Sequence, residues 1–212
     1  MTIRHHLSDQ LMMAYAAGSL PEAFNLIVAT HVSLCDECRA RLSGYDALGG
    51  VVMEQGAGVD MAAGALEAVM NRSAQPEVRR SPVQVSTVFP EPLVGYVGGD
   101  LDRVKWRNIG MGVKQAILPT GKGASARLLF IPAGKAVPDH GHRGTELTLV
   151  LQGAFSDETD RFGRGDLEIA DQAMNHTPMA DAGMDCICLA VTDAPLRFNT
   201  LIPRLLQPLF RI

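Results

Sequence analysis

The sequence predicts an α+β protein of two parts, a small bundle of about four helices followed by an antiparallel β-barrel. Three observations predict it. Apolar residues recur at helical spacing through residues 1–75, around the run His31-Val-Ser-Leu-Cys35-Asp-Glu-Cys38. A polar segment with a proline near each end, Ser73 to Pro82, then interrupts the pattern. Beyond it, short β-prone runs alternate with Gly- and Pro-containing turns, the texture of a sandwich or barrel.

Each element has a local reason. Ser8 is placed to cap a first helix through Leu11, Met12 and Tyr15, with Gly18 as its stop. Ser19-Leu-Pro-Glu22 has capping-box spacing, and Phe24, Ile27, Val28 and His31 follow at helical intervals. A third helix is expected from Cys35 through Cys38, Leu42 and Tyr45, fraying at Gly49-Gly50. A fourth is expected over Val59–Arg72, with Leu66, Val69 and Met70 on one side. Strands are expected at Ala126–Ile131, Glu146–Leu151, Gly165–Ile169 and Asp185–Val191. The expected boundaries are a helical domain at 1–75, a linker at 76–84, the barrel at 85–195 and an apolar tail at 196–212.

Composition narrows the function. With 212 residues and 47% apolar content, each part can bury a core. No apolar run approaches the ~20 residues of a membrane span. Met-Thr-Ile-Arg-His-His lacks the apolar stretch of a secretory signal, so a cytoplasmic location with reduced thiols is expected. Residues 1–75 carry four Lys/Arg against eight Asp/Glu; residues 76–212 carry fifteen of each. Neither part has the basic stripe that phosphate backbones require, so no direct nucleic-acid contact and no membrane contact are expected. An acidic helical module suits a basic protein partner instead.

The His31-x3-Cys35-x2-Cys38 run carries chemistry. If helical, positions i, i+4 and i+7 fall on one stripe, where two thiolates and an imidazole supply three of the four ligands of a structural zinc site. His5 and His6 are the available fourth donors; His6, nearer the helix start, is the expected one. The competing reading is a redox pair or two buried thiols, but no strand precedes the Cys-x-x-Cys as in thioredoxin-type units. A closed four-ligand site leaves no position for substrate, so its role would be structural or redox-sensing. With the upstream histidine and the short acidic helical setting, residues 1–75 resemble the zinc-binding anti-sigma factors. By that resemblance His6, His31, Cys35 and Cys38 hold Zn2+, and the helices grip an extracytoplasmic-function (group IV) sigma factor in a 1:1 complex that keeps it from core RNA polymerase.

The second half resembles the cupins. Gly134-(x5)-His140-x-His142-(x3)-Glu146-(x6)-Gly153 fits the first cupin motif at every spacing, and Gly165-(x10)-His176 fits the glycine and histidine of the second. Asp171, Ala173 and Ala180 depart from that second motif at turn positions. The resemblance implies a jelly-roll-like barrel in which His140, His142, Glu146 and His176 bind a second divalent metal: Zn2+ first, with Mn, Fe and Ni also compatible. Cys186 and Cys188, two apart on one strand, face the same way and read as core thiols.

Together the two resemblances span nearly the whole chain. They imply a regulator with no enzymatic activity, in which the cupin domain is needed for sigma release under oxidative stress such as singlet oxygen. The alternative is a metal-dependent cupin enzyme, a dioxygenase or isomerase, carrying an accessory zinc domain; it requires turnover of a small molecule by residues 83–195.

Overall fold

The computed structural model describes residues 2–73, 88–137, 140–141, 143–171, 175–194 and 197–198. Helix α1 (Asp9–Ala16) begins where expected: the Leu11 amide donates to Ser8 Oγ at 3.3 Å. It ends before Gly18, whose φ of +64° suits glycine. Helix α2 (Glu22–Leu34) corrects the expected capping box. Pro21 takes the cap position without a side-chain bond, and Ser19 Oγ turns back to donate to the Ala14 carbonyl at 3.1 Å. Helix α3 (Asp36–Glu54) runs through Gly49 and Gly50 instead of fraying there. A mid-helix glycine costs about 1 kcal/mol relative to alanine, which weakens a helix without ending it. Helix α4 (Ala65–Ser73) starts six residues later than expected, directly after Gly64, whose φ of +81° breaks the helical path upstream. The expected linker 76–84 and, apart from the pair 197–198, the tail 196–212 lie outside the described residues.

Before the barrel comes a short helix that the periodicity did not suggest, α5 (Glu91–Val97), closed by Gly98 at φ +78°, and a 3-10 turn at Leu101–Arg103. The strands are β1 (Arg107–Gly110), β2 (Val113–Ile117), β3 (Ser125–Ile131), β4 (His140–Gly141), β5 (Glu146–Gln152), β6 (Ala154–Ser156), β7 (Arg161–Gly163), β8 (Leu167–Ala170), β9 (Asn175–His176), β10 (Met179–Ala180), β11 (Cys186–Thr192) and β12 (Arg197–Phe198). All four expected strands are present as β3, β5, β8 and β11. One long antiparallel sheet has the order β1-β2-β3-β11-β5-β8; two short ones, β10-β6-β7 and β12-β4-β9, complete the jelly-roll-like barrel.

The two faces of the long sheet do different work. Strand alternation sends Val113, Ile131, Val150, Cys186 and Cys188 inward against Phe155 and Phe162. The opposite face, with Leu128, Leu147, Leu149, Ile187, Leu189 and Val191, shares a core with Phe24, Ile27 and Val28 of α2. Helix α2 therefore lies across the outside of the barrel, and β5 and β11 are covered on both faces. Glu22 ties this packing down: it accepts from Tyr96 Oη at 2.8 Å and from the Gly121 amide at 2.6 Å. Ile27 is fully buried in this layer. Truncating it to alanine is expected to cost about 2–5 kcal/mol, read as a lower urea midpoint at unchanged m-value.

Candidate metal centres

The chain breaks between α2 and α3 at Cys35 (φ −108°, ψ 107°), so the His31–Cys38 run is not one helix. His31 sits in the last turn of α2, Cys35 caps α3, and Cys38 lies in the first turn of α3. His31 Nε2 lies 3.3 Å from Cys38 Sγ. The fourth group arrives from the N-terminal arm: His6 Nδ1 is 3.3 Å from Cys35 Sγ and 3.5 Å from Cys38 Sγ. One donor atom from each of His6, His31, Cys35 and Cys38 falls within 4.8 Å of all the others. Zinc bonds of about 2.0–2.3 Å to nitrogen and sulfur make a tetrahedron with edges of roughly 3.3–3.8 Å, which these three separations match.

Electrostatics point the same way. Burial pushes the Cys38 thiol up to about 11. Burial, with His6 alongside, takes the His31 imidazole down to about 4. The cavity thus keeps His31 as the neutral imidazole that a metal needs, and it disfavours the Cys38 thiolate unless a cation lies beside it, so binding a metal would release the thiol proton. Around the four donors, Cys38 N donates to Cys35 Sγ at 3.4 Å and His6 Nε2 pairs with Glu37 Oε2 at 3.4 Å. His5, the other candidate, points elsewhere: its ring packs on Phe162 at 4.4 Å and its Nε2 meets Asp160 Oδ2 at 3.1 Å.

In the barrel, β4 and β9 pair so that the His140 backbone is directly opposite His176. The His140 side chain and all of His142 lie outside what the structure describes. Glu146 opens β5, is buried, and accepts from Thr148 Oγ1 at 3.4 Å. The imidazole of His176 is clasped by two carboxylates that the motif reading missed, Glu168 Oε1 at 2.9 Å and Asp157 Oδ2 at 3.1 Å. Burial works to lower the His176 pKa, but the Glu168 hydrogen bond and charge, with Asp157, raise it to about 9. Burial holds the Glu168 carboxyl above its usual range. Asp157 resists its own partial burial through hydrogen bonds from Glu168, Thr159 and the Asp160 amide, which hold it well below the usual carboxylate range. The donor set is oxygen- and nitrogen-rich, suited to a harder or borderline divalent ion than the thiolate site takes. A signal for Glu168 existed: it is the one acid in the run Leu167-Glu168-Ile169-Ala170, and period-two alternation sends it inward beside Thr148. Asp157 sits in a turn and carries no such signal. Cys186 and Cys188, 3.5 Å apart at sulfur, are buried in the barrel core as expected.

A helical unit with two histidines and two cysteines that could hold a metal ion, joined to a cupin barrel with its own His/carboxylate cluster, defines a helical module with an attached cupin domain. Residues 96–195 match the family model for the ChrR Cupin-like domain. The Anti-sigma-E factor ChrR of Cereibacter sphaeroides is 62% identical over 213 aligned residues, covering 100% of both chains. The crystal structure of Rhodobacter sphaeroides SigE in complex with the anti-sigma ChrR superposes with a TM-score of 0.80 at 61% identity, over 91% of this chain and 100% of that one. The chain belongs to the ChrR family of anti-sigma factors. No described helix is long and apolar enough to cross a membrane.

Proposed function

We propose that the protein captures an extracytoplasmic-function sigma factor in a 1:1 complex and withholds it from core RNA polymerase. One observation carries this reading beyond family membership: among the described residues, α4 buries none of its side chains. It exposes Leu66 and Met70 at 73% and 60%. The second half of α3 likewise exposes Leu48, Val51, Val52 and Met53. A nine-residue helix is too short to be stable alone in water, and so many large apolar side chains left exposed on two neighbouring helices in sequence suit a protein interface. The net negative charge of this segment suits the basic surfaces a sigma factor needs for DNA.

In this reading His6, His31, Cys35 and Cys38 hold Zn2+, and the ion fixes the α2–α3 junction from which the capturing surface extends. The functional units are residues 1–75, the linker 76–84, the cupin domain 85–195 and the tail 196–212. The barrel carries a second divalent metal on His140, His142, Glu146 and His176 and is the part that answers oxidative stress such as singlet oxygen. The protein acts where the sigma factor is, in the cytoplasm, and as a regulator without turnover. Co-expression with candidate sigma factors, then purification through a tag on this chain, tests the reading. Stoichiometric recovery of one sigma factor with zinc is expected; recovery of the chain alone contradicts it. Replacing His140 and His142 by alanine should leave capture intact and abolish stress-triggered release, followed with a sigma-dependent reporter. Loss of capture itself would refute this division of labour.

A further inference from the structure

The barrel reaches the helical metal site through one tight turn, Gly163 to Asp166, between β7 and β8. Asp166 is almost fully buried there. Its Oδ1 accepts from the Arg4 amide at 2.6 Å and the His5 amide at 3.0 Å, while Oδ2 accepts from the Gly163 amide at 2.8 Å. The Leu167 amide donates to the His5 carbonyl at 3.2 Å. Gly165 (φ +89°) lies under Ile3, so that a Cβ there would come within 2.6 Å of Ile3 Cδ1. The arm is thus held to the barrel on both sides of its peptide groups, and the next residue is His6.

The same turn meets the other histidine of the cluster. His31 Nδ1 is buried and lies against the Gly165 backbone, with geometry too loose for a full hydrogen bond. A histidine that binds metal through one nitrogen ordinarily has its ring set by a partner at the other.

The arm is also linked to the barrel's own cluster. The Asp160 amide donates to Asp157 Oδ1 at 3.1 Å, and Asp157 Oδ2 meets His176 Nδ1 at 3.1 Å. Asp160 Oδ2 meets His5 Nε2 at 3.1 Å. A continuous series therefore runs from His176 through Asp157, Asp160 and His5 to the backbone of His6.

We propose that Asp166 and Asp160 are positioning residues for the thiolate metal site: the barrel seats His6, and the Asp157–Asp160 turn makes that seating depend on the barrel's metal site. The proposal rests on the assignment of His6 and His31 as ligands. Ordering an arm costs backbone entropy, so an undocked arm offers its histidine to the ion far less effectively. No ligand is altered by changing either aspartate.

The test uses the full chain with Co2+ in place of zinc, read by thiolate-to-cobalt absorption, and zinc competition against a chromogenic chelator. Asp166→Ala is expected to weaken the thiolate site about 10- to 100-fold, the usual effect of losing an outer partner. The cobalt absorption should still report two sulfur ligands. Asp160→Ala, at a half-exposed position that keeps the fold if Asp166→Ala does not, is expected to weaken it less. It should also remove the dependence of zinc release rate on metal loading of the barrel. Affinities within twofold of the parent in both variants overturn the proposal, as does a release rate in the parent chain that ignores barrel loading. Sigma capture is measured separately: its absence in the parent chain would refute the proposed function, while the metal affinities would still decide the positioning role.

Discussion

Cys38→Ser is expected to empty the thiolate site and dissolve the α2–α3 junction while leaving the barrel folded. Cys38 is fully buried, touches both His31 and His6, and lies in the first turn of α3. Structural zinc contributes on the order of 10 kcal/mol to the folding of small domains, more than a module with so thin a core replaces by packing. The loss should be uneven. Helix α2 shares its core with β5 and β11, so it retains a partner without the ion. Helix α3 buries only Cys38 and Leu42, and so depends on the metal. Hydrogen exchange on the full chain checks this: α3 should lose protection while α2, the long sheet and the Arg4 and His5 amides held by Asp166 keep theirs. Uniform protection in the variant would mean that the ion is not the clamp.

The second large effect is expected on binding without any on stability. Val52 and Met70 are 63% and 60% exposed. Replacing both by aspartate should shift the unfolding midpoint little, since exposed substitutions away from special features usually stay within about 0.5 kcal/mol. If these side chains are interface anchors, each should cost about 2 kcal/mol or more of sigma affinity, roughly a 30-fold change. Calorimetric titration with the sigma factor separates the two outcomes. Unchanged affinity would move the capturing surface off α3 and α4.

The thiolate cluster was legible because its spacing is a property of local backbone: i, i+4 and i+7 bring side chains to one side whether the helix continues or, as at Cys35, bends. The choice of His6 over His5 was less secure in sequence. In the fold, Asp166, 160 residues later in the chain, grips the arm, leaving His6 beside the two cysteines and His5 turned to Phe162 and Asp160. Long-range pairing of that kind has no periodicity to read. The four main strands were visible as β-prone runs. The unbroken burial of Leu147–Leu151 and Cys186–Val191 was not, because the outer face of the sheet is covered by α2, a helix more than a hundred residues upstream. The missed capping box has a local reason, since Pro21 at the cap position leaves Ser19 too far back to reach the helix. Helix α5 escaped because seven residues, with Pro92 and Gly95 inside them, give too little periodic signal.

The most direct measurement of the central claim is a titration of the full chain with its extracytoplasmic-function sigma factor, before and after zinc is removed by a chelator. The account predicts a 1:1 complex with the zinc-loaded chain, loss of binding after removal and recovery when zinc is returned. Binding that persists undiminished in the stripped chain would contradict it.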